Sequence, residues 1–176
     1  MALALLLAGG CASAKVNSRY NRFSDELIVT LRGVHLAPPN PWAGTSLILQ
    51  TEFLANGILA KRPDTITLSI TSAAKQSPYR DDHGLTLVAD GRPVALEPAG
   101  YDATSRGDLL IEYMWVKMPT PAYLELVQAK TLSGTIGPTP FTLSPDGIAE
   151  LRELAANLPP EKGYKLPVEI PGFKLQ

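Results

Sequence analysis

One cysteine, two histidines and a 7% share of aromatic residues are all that this 176-residue chain offers to the chemistries that depend on them. A lone cysteine cannot close an internal disulfide. His35 and His83 stand too far apart in sequence, with no further cysteine, for the usual zinc spacings, so no metal and no cofactor is expected. Charge of either sign is also lacking in excess: 16 Lys and Arg against 17 Asp and Glu give a net charge of −1. Without a basic field, nucleic acid is not an expected partner. The chain shows no Gly-x-Ser-x-Gly elbow, phosphate-cradling glycine loop or His-Glu-x-x-His pair. Enzymatic activity therefore has no motif behind it.

Proline and glycine are plentiful, 16 and 14 residues scattered along the chain. That punctuation fits many short elements joined by turns better than a few long helices. Beyond a leader of ten residues the remainder has the size of one domain. Such a chain buries on the order of 70% of its unfolded surface and needs neither disulfide nor metal to hold a core.

Residues 1–8 read Met-Ala-Leu-Ala-Leu-Leu-Leu-Ala, an uncharged apolar run followed at once by Gly9, Gly10 and Cys11. It falls far short of the roughly 20 residues of a spanning helix and reads as the apolar region of a signal segment. Small residues before the cysteine suit a peptidase that must thread extended backbone through a narrow cleft. Leu7-Ala8-Gly9-Gly10-Cys11 resembles the lipobox of bacterial lipoproteins. That resemblance implies removal of residues 1–10, a diacylglycerol on the Cys11 thiol and an acylated new amino terminus. The membrane is then a partner through lipid on Cys11, and several acyl chains at about 0.8 kcal/mol per buried methylene anchor stably. Ala12 and Ser13 stand where an inner-membrane retention signal would place Asp, which implies the outer membrane, facing the periplasm, in a two-membrane bacterium. Residues 11–24 then read as lipidated cysteine plus polar tether, thirteen tether residues reaching about 40 Å.

Period-two alternation recurs from residue 25 onward. Leu27, Val29 and Leu31, then Leu47, Leu49 and Phe53, then Ile66, Leu68 and Ile70 alternate with polar neighbours, as half-buried strands do. Asp90-Gly91, between apolar segments 85–89 and 94–96, suits the positive φ angles of a tight hairpin, and Pro93 places the second strand at an edge. The run 109–116 reads as a central strand, and 123–127, 132–136 and 141–143 complete about nine strands, a density that predicts an antiparallel β-sandwich or barrel-like fold. One amphipathic helix is expected over 145–157, with Ser144 capping, Pro145 in the first turn and Ile148, Leu151, Leu154 and Leu158 at helical spacing. The fold so read occupies 25–158, and 159–176 is a Pro-punctuated tail.

Alternate connections of an antiparallel sandwich emerge at one end, which groups the long loops 33–46, 72–84 and 97–108. The tether enters at the opposite end, so these loops should point away from the membrane. They would present Trp42, Tyr79, Arg80, Asp82, His83, Tyr101 and Arg106 as a binding surface. The function expected is thus a non-catalytic interaction or structural module anchored in the cell envelope, with an envelope protein as partner. Two alternatives follow from the same residues. An envelope hydrolase would use Asp81, Asp82 and His83, given a carboxylate from another loop within hydrogen-bond reach of His83. A carrier of an apolar ligand would need a closed barrel around a cavity.

Overall fold

The computed structural model describes residues 16–36, 46–56 and 61–161. In chain order these form β1 (Val16–Asn21), β2 (Glu26–His35), β3 (Ser46–Asn56), β4 (Thr65–Ala74), β5 (Leu85–Ala89), β6 (Arg92–Val94), β7 (Gly100–Arg106), β8 (Leu109–Pro119), α1 (Thr120–Leu126), β9 (Leu132–Ile136), β10 (Thr139–Thr142) and α2 (Pro145–Ala156). The strands make two sheets, one of six in the order β1-β2-β3-β4-β8-β7 and one of four in the order β10-β9-β5-β6. Every pairing is antiparallel and neither sheet closes on itself, so the architecture is the expected mainly-β sandwich and not a barrel.

Alternation decides which face is core. Val29 and Leu31 on β2, Leu49 and Phe53 on β3, Ile66 to Ile70 at every second place on β4, and Met114 and Val116 on β8 are all buried. The smaller sheet returns Leu87, Leu132 and Phe141, and both helices add to the same layer through Leu126 and Leu151. Tyr123 of α1 donates its hydroxyl to the Leu151 carbonyl of α2 at 2.9 Å, and burial raises its pKa. Arg152 reaches back to donate to the Val127 and Ala129 carbonyls at 2.7 and 2.8 Å, satisfying the carbonyl end of α1. Ser144 accepts the Gly147 amide at 3.1 Å, the capping bond its position predicts.

Three expectations are corrected. Residues 16–21 are not tether: they pair with β2 along their whole length, from Val16 with Leu31 to Asn21 with Glu26. An edge strand solvated on most sides carries no apolar row, so alternation could not reveal it. Residues 123–127 are helix and its end, because Tyr123, Leu126 and Val127 bury at helical spacing and Pro121 sits in the first turn. The segment 97–108 is no long loop; most of it is β7, joined to β8 by a two-residue turn at Gly107-Asp108.

The hairpin at Asp90-Gly91 is as expected, with φ of 48° and 78°. Asp90 also accepts from the Lys130 and Thr131 amides, both at 2.9 Å, and from the Thr131 hydroxyl at 3.2 Å. The Thr131 amide is the main reason the carboxyl titrates below its ordinary value near 3.8. A group depressed in the folded state contributes stability above its unfolded pKa and loses it as pH falls through the folded value. Asp90→Asn keeps the turn and an acceptor but cannot titrate. The stability gap between wild type and Asp90→Asn is therefore expected to be full at pH 7 and to shrink from about pH 5 down to pH 2. Urea titrations across that range check it, and a gap constant with pH would contradict it.

Candidate functional site: a cleft over a buried carboxylate

The antiparallel register brings the 75–84 connection and the β7–β8 turn to one end of the larger sheet, since Ala74 pairs with Leu110 and Arg106 with Leu109. Between them lies an open cleft of about 510 Å³, walled by Lys75, Arg80 and Asp81 on one side and by Ser105, Asp108 and Leu109 on the other. Ser77 sits in its lining and ties it to a group that the strand pattern alone did not single out.

That group is Glu112, on β8, fully buried at 0% exposure. Its Oε1 accepts from the Ser77 hydroxyl at 2.6 Å, the Tyr101 hydroxyl at 3.0 Å and the Tyr79 amide at 3.3 Å. A buried carboxylate is costly unless hydrogen-bonded, and here it organises the segment above the cleft. Its Oε2 has no partner among the described residues, nor has the Oγ of Ser72, which is its cross-strand pair on the same inner face. The signal that could have found Glu112 was parity: it shares a face with Met114, Val116 and Met118, so it had to point inward.

The other expected site residues fall apart into roles. Tyr79 is core, 1% exposed; its hydroxyl donates to Thr139 at 3.0 Å, and burial is the chief reason its pKa is raised. Tyr101 is a half-buried residue of β7 whose hydroxyl is committed to Glu112. His83 packs its ring on Tyr101 with centroids 4.9 Å apart. Its Nδ1 is buried without a hydrogen-bond partner among the described residues, so the carboxylate that the hydrolase alternative requires is not bonded there. Asp82 turns back to the Gly84 amide at 3.3 Å. Arg80, Asp81 and Arg106 are exposed, the first two at the cleft. Trp42 and Cys11 lie outside the described residues. Among the described residues no three metal-ligating side chains come together.

Contrary to expectation, the chain does not enter the larger sheet at the end opposite the cleft. β1 adds one strand before β2 and runs antiparallel to it, so Val16 lies on the cleft side of Asn21. The chain therefore enters the sheet from the cleft end. Away from that end, the outer face of the larger sheet carries Tyr113 and Trp115, 39% and 36% exposed. Trp115 covers Gly100 on β7, where a methyl group would lie 2.4 Å from the indole; only glycine lets the ring lie across the strand.

Between the sheets, the space lined by Leu49, Leu68, Phe141 and Leu151 amounts to about 10 Å³, room for one water at most. An acyl chain does not fit it. No helix among the described residues is long and apolar enough to cross a membrane. Neither the models of known protein families nor the characterised proteins contain a match to this chain, so its function has to be argued from its own residues.

Proposed function

We propose that the protein is a lipid-anchored, non-catalytic interaction or structural module of the bacterial cell envelope, held to the membrane through Cys11. The observation that carries this reading is the sequence Leu7-Ala8-Gly9-Gly10-Cys11 behind an uncharged apolar run. The position of β1 shapes it further. Val16 follows Cys11 by five places, so an acylated Cys11 would tether the sandwich within about 17 Å of its anchor, less than half the reach of a tether running to residue 24. Entry from the cleft end would turn Arg80, Asp81 and Arg106 toward the bilayer surface and leave the sheet face of Tyr113 and Trp115 turned sideways to the envelope space. The polar groups best placed for chemistry, Glu112 and Tyr101, are committed to one another and to the loop above them, as befits a rigid support.

The reading is tested by membrane fractionation of bacteria expressing the full chain, with radiolabelled palmitate, against Cys11→Ser. Wild type is expected in the membrane fraction with label, and Cys11→Ser without label. Equal labelling, or unlabelled wild type in the soluble fraction, would overturn it.

A further inference from the structure

An antiparallel sheet leaves every second amide of each edge strand facing outward, unpaired and open to another strand. The two sheets have four edges: β1 and β7 on the larger, β6 and β10 on the smaller. Three of these carry a device against pairing. Pro93 on β6 and Pro140 on β10 each follow the residue that closes a two-residue turn, which points their hydrogen-free nitrogens outward. On β7 the Ala103 amide faces outward, and the Asp102 carboxylate takes it at 2.8 Å. β1, Val-Asn-Ser-Arg-Tyr-Asn, has neither proline nor, among the described residues, a side chain on its outward amides.

Which amides those are follows from the register. The pair that closes a two-residue turn exchanges both its hydrogen bonds, so Leu109 turns its amide and carbonyl toward β7. Strict alternation then carries the sense of each residue across β8, β4, β3 and β2. Leu47 comes out facing β2, and its carbonyl does accept the Leu36 amide at 3.1 Å. On β1 the same count turns Asn17, Arg19 and Asn21 toward β2 and leaves Val16, Ser18 and Tyr20 facing outward.

We propose that β1 pairs with β1 of a second copy of the chain, antiparallel about a two-fold axis at Ser18, so that the two six-stranded sheets join into one. Two registers pair five residues of each strand with matching faces, one centred on Ser18 and one on Arg19. The second sets Arg19 directly against its own copy, like charge on like charge. The first sets Arg19 against Asn17 on the outer face, and on the core face Tyr20 against Val16, an aromatic against a β-branched side chain. It also uses all three outward residues, each exchanging backbone bonds with the second copy. Ser18 and Tyr20 have the parity of Val29 and Leu27 yet are exposed, so no layer among the described residues lies beneath β1 to bar a neighbouring sheet. The pairing itself does not depend on Cys11, but one consequence rests on the anchored reading. The axis runs normal to the sheet, so two copies anchored in one bilayer lie with their sheets along it, and the clefts that a single copy would turn toward the bilayer open sideways instead.

Sedimentation of the full chain carrying Cys11→Ser, which removes lipid and stray disulfides from the measurement, tests the proposal. A reversible dimer is expected as concentration rises. Adding Ser18→Pro, which deletes an outward donor and no bond to β2, is expected to leave a folded monomer. Adding Ser18→Cys places two thiols across the axis on α-carbons about 5.5 Å apart, within disulfide reach, whereas Asn21→Cys places them roughly 20 Å apart. Under air with a copper catalyst Ser18→Cys is expected to cross-link at least about tenfold faster than Asn21→Cys. Equal rates at the two positions, or a dimer that survives Ser18→Pro, would overturn the proposal. So would a monomer at every concentration, and a monomer whose Ser18 amide resists hydrogen exchange would mean that the chain fills this edge itself.

Discussion

Glu112→Ala is expected to lower the unfolding free energy by about 3–5 kcal/mol, an effect out of proportion to a single residue of a polar cluster. The carboxylate oxygen Oε1 is the common acceptor of the Ser77 hydroxyl, the Tyr101 hydroxyl and the Tyr79 amide. Each donor left unsatisfied in a buried site costs about 1–3 kcal/mol. The sum is not reached, because the Ser77 and Tyr101 hydroxyls lie 3.3 Å apart and can partly satisfy one another. For a chain of this size the midpoint of thermal unfolding should fall by roughly 10 °C. Glu112→Gln keeps Oε1 as an acceptor and is expected to recover most of the loss, though a neutral acceptor bonds less strongly than a charged one. Urea denaturation of the three proteins decides it. Glu112→Ala within about 1 kcal/mol of wild type, the net worth of one ordinary hydrogen bond, would mean that the cluster does not organise the cleft.

Gly134→Ala is expected to be strongly damaging to the smaller sheet. Gly134 lies in the middle of β9, between Leu87 of β5 and Phe141 of β10. A methyl carbon there would sit 2.1 Å from the Thr86 carbonyl oxygen and 3.0 Å from the Phe141 ring. The nearer neighbour is backbone in a paired strand and cannot swing aside, so the sheet must part. The expected cost is about 2–4 kcal/mol, the upper range of overpacking. Gly107→Asn is the control: its φ of +60° is one that asparagine tolerates, and nothing lies within 4 Å of the added carbon, so a change below about 0.5 kcal/mol is expected. Equal effects at the two glycines would show that loss of glycine, and not the close approach of β5, sets the cost.

How much of this was legible in the sequence depended on where each residue's burial came from. β2, β3 and β4 bury one face and solvate the other, so Val29, Phe53 and Ile70 announced themselves by alternation. The Asp90-Gly91 turn and α2 were legible because local chemistry, positive φ in one and a serine cap in the other, specifies them without help from the rest of the fold. β1 was hidden, since an edge strand held by backbone bonds alone needs no particular side chains. That omission put the chain's entry at the wrong end of the sheet, because each added antiparallel strand flips the sense in which the chain enters. The burial of two of the loop residues was hidden for a related reason. Tyr79 and Tyr101 looked exposed in polar surroundings, and only the register that places Glu112 beneath them explains why they turn inward. Glu112 itself stood in plain view within an apolar run, on the parity of Met114 and Val116.

The central claim, an envelope module anchored through Cys11, is met most directly by the intact mass of the protein recovered from bacterial membranes. A mass matching the chain from Cys11 onward plus a diacylglycerol and an amide-linked acyl group is the result the account predicts. The unmodified mass of the chain from Met1 would contradict it.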